Sequence, residues 1–573
     1  MLKTRHILAN LRIQDVRFSV RSVPLIIQNC RYLHRECVSH DAGKSASTAG
    51  KNCGSPYFIT TPIFYVNAAP HVGHLFCALL ADAMARWQKV KGRSTLMATG
   101  TDEHGLKIQQ AAANHGVDAD TFCDGVSAKF KSLFIEADIQ YDQFIRTTQQ
   151  GHIDAVNSFW NRLFSQGFIY QGSYAGWYSV SDEAFLALED VEEQTRADGT
   201  KLTISKESGH PVTWMEENNY MFKLSHFQQD LLHWLKGGVI HPSHYEADVR
   251  LMLQQLPDLS ISRDSKRLSW GIRVPGDDSQ TIYVWLDALV NYLTASGYPH
   301  CDTYHWPPDC QLIGKDILRF HAIYWPAFLI AAGMEPPRRL ICHSHWLVDK
   351  VKMSKSLGNV IDPVEKINHF GVDGFRYFLL KEGSLNSDGA YSDSRVAERI
   401  NSDLANTLGN LLGRCTAPTV NKRQELPPLC EDDLFEFLSI GEREMYTLLY
   451  ELPNRVDSLY EEFHFTKALD QIFGHLHWAN SLVQAHAPWQ LGKSVEPRDQ
   501  VHLSVVLHVA METLRVCGIL LQPVIPRLAE RLLTRLGVPR SERGYQDAQT
   551  KAVSGFGQLG EKVLLQKKVN APS

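Results

Sequence analysis

Tyr57-Phe-Ile-Thr-Thr61 and, ten residues on, His71-Val-Gly-His74 open the segment whose reading decides the fold. The first run is β-branched and aromatic and predicts a strand. Pro62, Asn67 and Pro70 then predict a loop. From Val72 to Lys91 apolar residues recur at helical spacing (Leu75, Leu79, Met84, Trp87), and Gly92 stops the run. Ser94 to Thr99 predicts a second strand. Strand, helix and strand in this order make a βαβ unit whose helix begins beside His71 and His74.

The same alternation returns far downstream. Thr281–Trp285 predicts a strand, Asp287–Ser296 a helix, Cys310–Ile313 a strand, Leu318–Ala332 a helix and Leu340–Cys342 a strand. Between the two halves lies a stretch from about Gln166 to Gln280 with strand-like, glycine-punctuated patterning. Beyond about Asn401 the pattern is helical. Leu404, Leu408, Leu411 and Cys415 share one face, and Pro453, Pro488 and Pro523 punctuate later helices. The fold class read from this is α/β: a split, Rossmann-like nucleotide-binding domain with an inserted connective domain, followed by an all-α bundle. The expected limits are 1–45 for a leader, 56–165 and 281–345 for the two catalytic halves and 166–280 for the insertion. A lysine-loop and connecting region then covers 346–400, the bundle 401–540 and a loosely held tail 541–573.

The 573 residues, 44% of them hydrophobic, suffice for several cores. No uninterrupted apolar run approaches the roughly 18 residues of a membrane helix. Eleven cysteines, none in a C-x-x-C pair, argue against a disulfide scaffold and for a reducing compartment. The first 35 residues carry Lys3, Arg5, Arg12, Arg17, Arg21, Arg31 and Arg35 against Asp15, a net of +6 within a chain of net −5. Basic, acid-poor and amphipathic, this leader reads as a mitochondrial transit peptide, with a disordered RNA-binding tail as the alternative. Without it the body carries −11, so nucleic acid would have to be met by local basic patches.

His71-Val72-Gly73-His74 sets two imidazoles at a helix N-terminus, where unpaired N–H groups and a partial positive charge favour phosphate. Alone the string is weak, and a metal pair or a helix cap competes with it. Lys352-Met-Ser-Lys355-Ser-Leu-Gly-Asn359 supplies two mobile point charges on a small-residue loop, suited to a polyphosphate that must be neutralised and released. Gly43-Lys44-Ser45 lacks the earlier glycine of a phosphate-binding Walker loop, since Val38 stands there.

With HVGH and KMSKS in this order, the chain resembles the class I aminoacyl-tRNA synthetases. Thr60-Thr-Pro-Ile-Phe-Tyr-Val-Asn67, Gly100-Thr-Asp-Glu-His-Gly105, Tyr283-Val-Trp-Leu-Asp-Ala288 and Gly314-Lys-Asp-Ile-Leu-Arg-Phe-His321 are similar to the methionine-specific subgroup, and the resemblance runs from about Tyr57 to Leu536. It implies adenylation of methionine by ATP with Mg2+, then transfer to tRNA(Met). His71, His74, Lys352 and Lys355 would be catalytic, and His71, Gly73, His74, Lys315 and Lys355 would hold ATP. Ile63, Tyr65, Asp102, Trp285, Ala288, Tyr292, Ile317 and His321 would line the methionine site, Asp102 taking the ammonium. Aromatic and aliphatic walls suit a polarizable thioether. Leu289 stands where the subgroup leads us to expect proline.

The resemblance also assigns Asn410, Arg414 and Trp489 to the anticodon; stacking with amide and guanidinium donors is how unpaired bases are read. Asn406, Asn410 and Arg414 recur every fourth residue beside the leucine face. Many relatives bind zinc in the insertion, but Gly176–Glu183 and Ser208–Trp214 hold no cysteine, so no zinc or other protein-bound metal is expected. The insertion is short for a separate editing domain. No membrane contact, a monomer and a mitochondrial matrix location complete the expectations. Two other readings remain: an RNA-binding derivative that no longer catalyses, which methionine-dependent pyrophosphate exchange would separate, and a small-molecule nucleotidyltransferase, which would not need the helical bundle.

Overall fold

The computed structural model describes residues 55–179, 184–186, 188–195, 201–206, 209–300, 305–348, 351–353, 359–552, 555 and 557–572. The leader read over 1–45 lies outside them, as do Ser354–Gly358 of the lysine loop.

Seven parallel strands form the central sheet: β1 (Tyr57–Thr60), β2 (Phe64–Tyr65), β3 (Thr95–Asp102), β4 (Gln143–Arg146), β5 (Ile240–His241), β6 (Cys310–Gly314) and β7 (Leu340–His343). Their order is β5-β7-β6-β1-β3-β2, with β4 also on β3. β1 pairs with β3 from Tyr57–Thr95 to Thr60–Ala98, and with β6 at Ile59–Cys310. Chain order therefore runs outward on one side from β1 to β3 and on the other from β6 to β7. Ligands of open α/β sheets bind beyond the strand carboxyl ends at such a reversal. β1, β6 and β7 are buried at every residue, as parallel strands covered on both faces must be.

Helix α1 (Val72–Val90) makes the predicted crossover between β1 and β3. It is buried on almost every face, because the bundle covers the side turned away from the sheet. Trp87 donates to Asp457 at 2.9 Å, Gln88 to Glu461 at 2.7 Å, and Lys91 meets both carboxylates at 2.7 and 2.9 Å. Helix α2 (Gln150–Ser165) leads into the segment read as the insertion. There the strands Ile169–Ser179 and Val212–Phe222 pair antiparallel over eleven positions.

Two sequence readings need correction. The strand expected at Thr281–Trp285 instead covers Asp277–Ile282 and belongs to a small antiparallel sheet with Ser262–Asp264 and Arg273–Val274. Helix α3 (Val284–Ala295) starts at once, so Trp285 is helical. A short apolar run does not reveal its period, and Leu286, Leu289, Val290 and Leu293, at most 1% exposed, show this one to be a fully buried helix. Also, β5 lies inside the segment read as the insertion and extends the central sheet by pairing with β7. Two residues give no periodic signal.

The expected Leu318–Ala332 helix is a 3-10 turn (Lys315–Ile317), a π-turn (Phe320–Tyr324) and helix α4 (Trp325–Ala331). Pro326 has no N–H for the Ala322 carbonyl, and widening the preceding turn relieves that conflict.

The bundle follows α5 (Val372–Glu382) and contains α6 (Asn410–Thr416), α7 (Leu452–Glu461), α8 (Phe465–His486), α9 (Pro488–Leu491), α10 (Pro497–Leu521) and α11 (Pro526–Arg535). By length and composition α10 is apolar enough to cross a membrane, yet 94% of its most apolar window is buried among its neighbours. The C-terminal segment is not loosely held. Leu565 is 4% exposed, Asn401 exchanges hydrogen bonds with the Val569 backbone at 2.8 and 2.9 Å, and Arg535 donates to the Gly560 carbonyl. Its lysines are exposed, while Leu565 and, in part, Val563 and Val569 dock on the core.

Candidate functional site

The HVGH imidazoles cap the helix that they open. His71 is the N-cap of α1; its Nδ1 accepts the Gly73 N–H at 3.0 Å, and His74 Nδ1 accepts the His71 N–H at 3.1 Å. The rings stack at 3.8 Å, and Phe64 and Phe130 each pack on His74 at 5.3 Å. A ring nitrogen that accepts N–H carries no proton, so in each neutral imidazole the donor is Nε2. Gly73 is required for this arrangement: a Cβ there would lie 2.9 Å from His71 Cε1. The space above Gly73 is room for the His71 ring.

The candidate methionine residues fall into two groups. Pairing of β2 with β3 sets Tyr65 opposite Asp102. Ile63 lies over Gly100, where an added Cβ would be 2.9 Å from Ile63 Cγ2 and 2.0 Å from the Ile145 carbonyl. The second group is built on α3. Trp285, Ala288 and Tyr292 share one helical face. Trp285 stacks on Phe320 at 3.5 Å with the planes 7° apart, and the Tyr292 hydroxyl lies 2.7 Å from His321 Nε2. His321 Nδ1 donates to the Ile317 carbonyl at 2.9 Å. Burial lowers His321 to about 4, so the ring is neutral, its proton is on Nδ1, and Tyr292 donates to Nε2. Phe320 was not singled out from sequence, although it precedes His321 in the same motif.

Asp287 joins the two groups and was likewise missed. Its oxygens lie 2.7 Å from His104 Nδ1 and 2.8 Å from His152 Nε2. Burial pushes its carboxyl up, but His104 and then His152 outweigh that and hold it below the usual carboxylate range. The signal available was an acid inside an apolar helical run, next to a histidine in the Asp102 motif. Glu103, between Asp102 and His104, takes a bidentate Arg146 at 2.7 and 2.9 Å.

Lys315 follows β6 and pairs with Asp388 at 2.7 Å. Burial opposes ionisation of Asp388, yet the Lys315 ammonium and the His345 amide hold its carboxyl below the usual range. Lys352 ends a short hairpin in which Val351–Lys352 pairs with Trp346–Val348. Lys355 lies outside the described residues. In the bundle Asn406, Asn410 and Arg414 are exposed, and Trp489 is half-buried in α9. The turn before Trp489 is fixed by left-handed Ala487 (φ 43°) and by His486, which meets Glu442 at 3.0 Å and His502 at 2.8 Å.

In the insertion Trp177 packs edge-on against Trp214 at 5.5 Å, and Arg267 lies 4.6 Å above Tyr178. Among the described residues no group of three His, Cys, Asp or Glu side chains is placed to hold a metal ion. Zinc thiolate chemistry does not fit this stretch.

A family profile described as "tRNA synthetases class I (M)" matches residues 57–416. The mitochondrial methionine–tRNA ligase of Homo sapiens is 51% identical over 515 residues, 87% of each chain, and that of Xenopus laevis 47% identical over 511 residues, 88% of this chain and 90% of its own. The structure of Mycobacterium tuberculosis methionyl-tRNA synthetase in complex with methionyl-adenylate is 38% identical with a TM-score of 0.84, covering 89% of this chain and 99% of that one. With a sheet that reverses at β1 and β6 and two imidazoles capping the helix at that reversal, the chain belongs to the methionyl-tRNA synthetase family of class I, the ATP-dependent methionine–tRNA ligases.

Proposed function

We propose that this chain adenylates methionine and transfers it to tRNA(Met) in the mitochondrial matrix, with the residues in the following roles. Asp102 holds the substrate ammonium by a charge-assisted bond. Ile63, Tyr65, Trp285, Ala288, Tyr292, Ile317 and His321 enclose the thioether; with its proton committed to His321, Tyr292 turns a lone pair rather than a donor toward the pocket. His71 and His74 present Nε2–H groups, and Gly73 its close backbone, to the α-phosphate, where charge develops under carboxylate attack. Lys315, Lys352 and Lys355 neutralise the triphosphate. These donors are nitrogen groups suited to anions, so they fit a triphosphate that brings its own Mg2+, which supplies charge neutralisation for the leaving pyrophosphate. Asn410, Arg414 and Trp489 read the anticodon. Residues 56–165 and 281–345, together with β5, form the catalytic domain, the rest of 166–280 the metal-free connective insertion and 401–540 the anticodon bundle, in a monomer without membrane contact. The basic leader, residues 1–45, directs import.

The observation that carries the chemistry is the pair of imidazoles whose Nδ1 atoms are spent on the helix cap. ATP–pyrophosphate exchange tested across the amino acids should respond to methionine alone. Lys355→Ala should cut that exchange ~10²–10³-fold with methionine binding nearly intact, the usual cost of losing one preorganised charge. Exchange within a few-fold of the parent would remove Lys355 from the reaction.

A further inference from the structure

Asp102 stands between two buried side chains that face different parts of the fold. Glu103, 0% exposed, is held by Arg146 and by the Thr101 and Thr148 hydroxyls at 2.7 and 2.6 Å, which fasten the loop to its own half of the sheet. His104 turns the other way. Its Nδ1 reaches Asp287 Oδ2 on α3, and Asp287 Oδ1 reaches His152 on α2, whose second nitrogen lies 2.9 Å from Thr294 on α3. Trp270, from the insertion, closes the outside of the loop: its indole N–H donates to the Glu103 carbonyl at 2.6 Å, its carbonyl accepts the Gly105 N–H at 3.2 Å, and its ring packs edge-on against His104 at 5.7 Å.

A carboxylate 1% exposed is tolerable only when its lone pairs are filled. Each Asp287 oxygen accepts one imidazole N–H, so moving either histidine leaves one oxygen of the buried acid unpaired. Asp287 directly precedes Ala288 and lies two residues after Trp285. The loop that carries Asp102 is thereby tied to the helix face that carries Trp285, Ala288 and Tyr292, two groups of residues with no backbone pairing between them.

We propose that Asp287 is a positioning residue for the amino acid: through His104 it sets the Asp102 loop at a fixed separation from the α3 face, so that the ammonium and thioether ends of one methionine are met together. This rests on reading Asp102 and α3 as the methionine site. A substrate held at both ends senses a displacement of either anchor, while ATP, bound at the other ends of the site, does not.

The test is a set of variants assayed by pyrophosphate exchange with methionine and ATP varied separately. Asp287→Asn and His104→Leu should raise the methionine KM about 10–100-fold, the scale of a displaced substrate anchor, leaving the ATP KM and kcat at saturating methionine within about fivefold. His104→Asn sets an amide N–H where Nδ1 was and should recover most of the loss. If both KM values and kcat move together, or if His104→Asn is no better than His104→Leu, the cluster only holds the fold. Should Asp287→Asn fail to fold, the His104 pair decides the matter. Asp102→Asn separates the two levels: an unchanged methionine KM there removes the pocket reading itself, whereas a raised one beside a silent His104→Leu overturns only the positioning role.

Discussion

Arg376 offers a sharp test of how the catalytic region and the bundle are joined. It lies on α5, is 2% exposed, and spends its guanidinium on three segments: Nη2 on Asp82 of α1 at 2.7 Å and the Pro523 carbonyl at 3.0 Å, Nε on the Val524 carbonyl at 3.1 Å, and Nη1 on the Ala137 and Asp138 carbonyls at 3.2 and 3.3 Å. Arg376→Met keeps the aliphatic volume and removes every donor. Asp82 is not left bare, because Arg86 stays at 2.8 Å and the Gln140 N–H at 2.8 Å; Asp138 O likewise keeps Arg86. The loss therefore sits at the low end of the usual 3–5 kcal/mol for orphaning a buried charge and comes from the three carbonyls of Ala137, Pro523 and Val524. At about 1 kcal/mol for each unsatisfied acceptor, the variant should lose about 3 kcal/mol. Denaturant unfolding measures it as a shift of midpoint at constant slope. Arg376→Lys, able to reach Asp82 but not the three carbonyls together, should recover less than half. A loss under about 1 kcal/mol in Arg376→Met would show that water fills the site as well as the guanidinium does, and the argument from buried acceptors would fail.

Two further outcomes are expected. Asp373 caps α11 through the Leu528 N–H, and burial raises its carboxyl to about 6. A folded pKa above the unfolded one means that ionisation costs stability, nothing below about pH 4 and its full value above pH 6; Asp373→Asn should thus stabilise the protein by at most about 3 kcal/mol at pH 7.5, a gain that fades toward pH 4 and whose absence at pH 7.5 in thermal or denaturant unfolding would refute it. Trp489→Ala should leave methionine-dependent exchange intact and lower tRNA charging about five- to 150-fold, from roughly 1–3 kcal/mol of lost stacking, with equal losses in both assays showing that Trp489 only holds the fold.

The parts of the fold legible in the sequence are those where one period runs long enough to be unambiguous. The β1–α1–β3 unit and the β6 and β7 strands stand where the patterning placed them. Trp285 was misplaced because Thr281-Ile-Tyr-Val-Trp285 satisfies a strand until the four leucine and valine positions beyond it reveal the helix. β5 escaped because its two residues gain their partners only from β7, more than ninety residues later. The site was legible as motifs but not as bonds. No spacing rule brings His104, His152 and Asp287 together, since they are 183 and 135 residues apart and meet only when α2 and α3 pack. Nor does the string HVGH reveal that its imidazoles accept from their own helix, because that depends on the extended backbone of His71.

That capping also explains why α1 is constrained along its whole length. A helix of 19 residues spans about 28 Å, and its hydrogen-bond ladder resists compression along the axis. One end carries the two imidazoles; the other carries Trp87, Gln88 and Lys91, held by Asp457 and Glu461 of α7. Trp87 is wholly buried and packs edge-on against Tyr460 at 5.0 Å, so the bundle covers the end of α1 that lies away from the two imidazoles. Residues 55–573 accordingly form one compact unit. The bundle is then not an appendage that adds RNA recognition to a finished enzyme. Its α7 holds the far end of the helix whose near end carries His71 and His74, so loosening that contact should disturb the two imidazoles proposed to meet the α-phosphate.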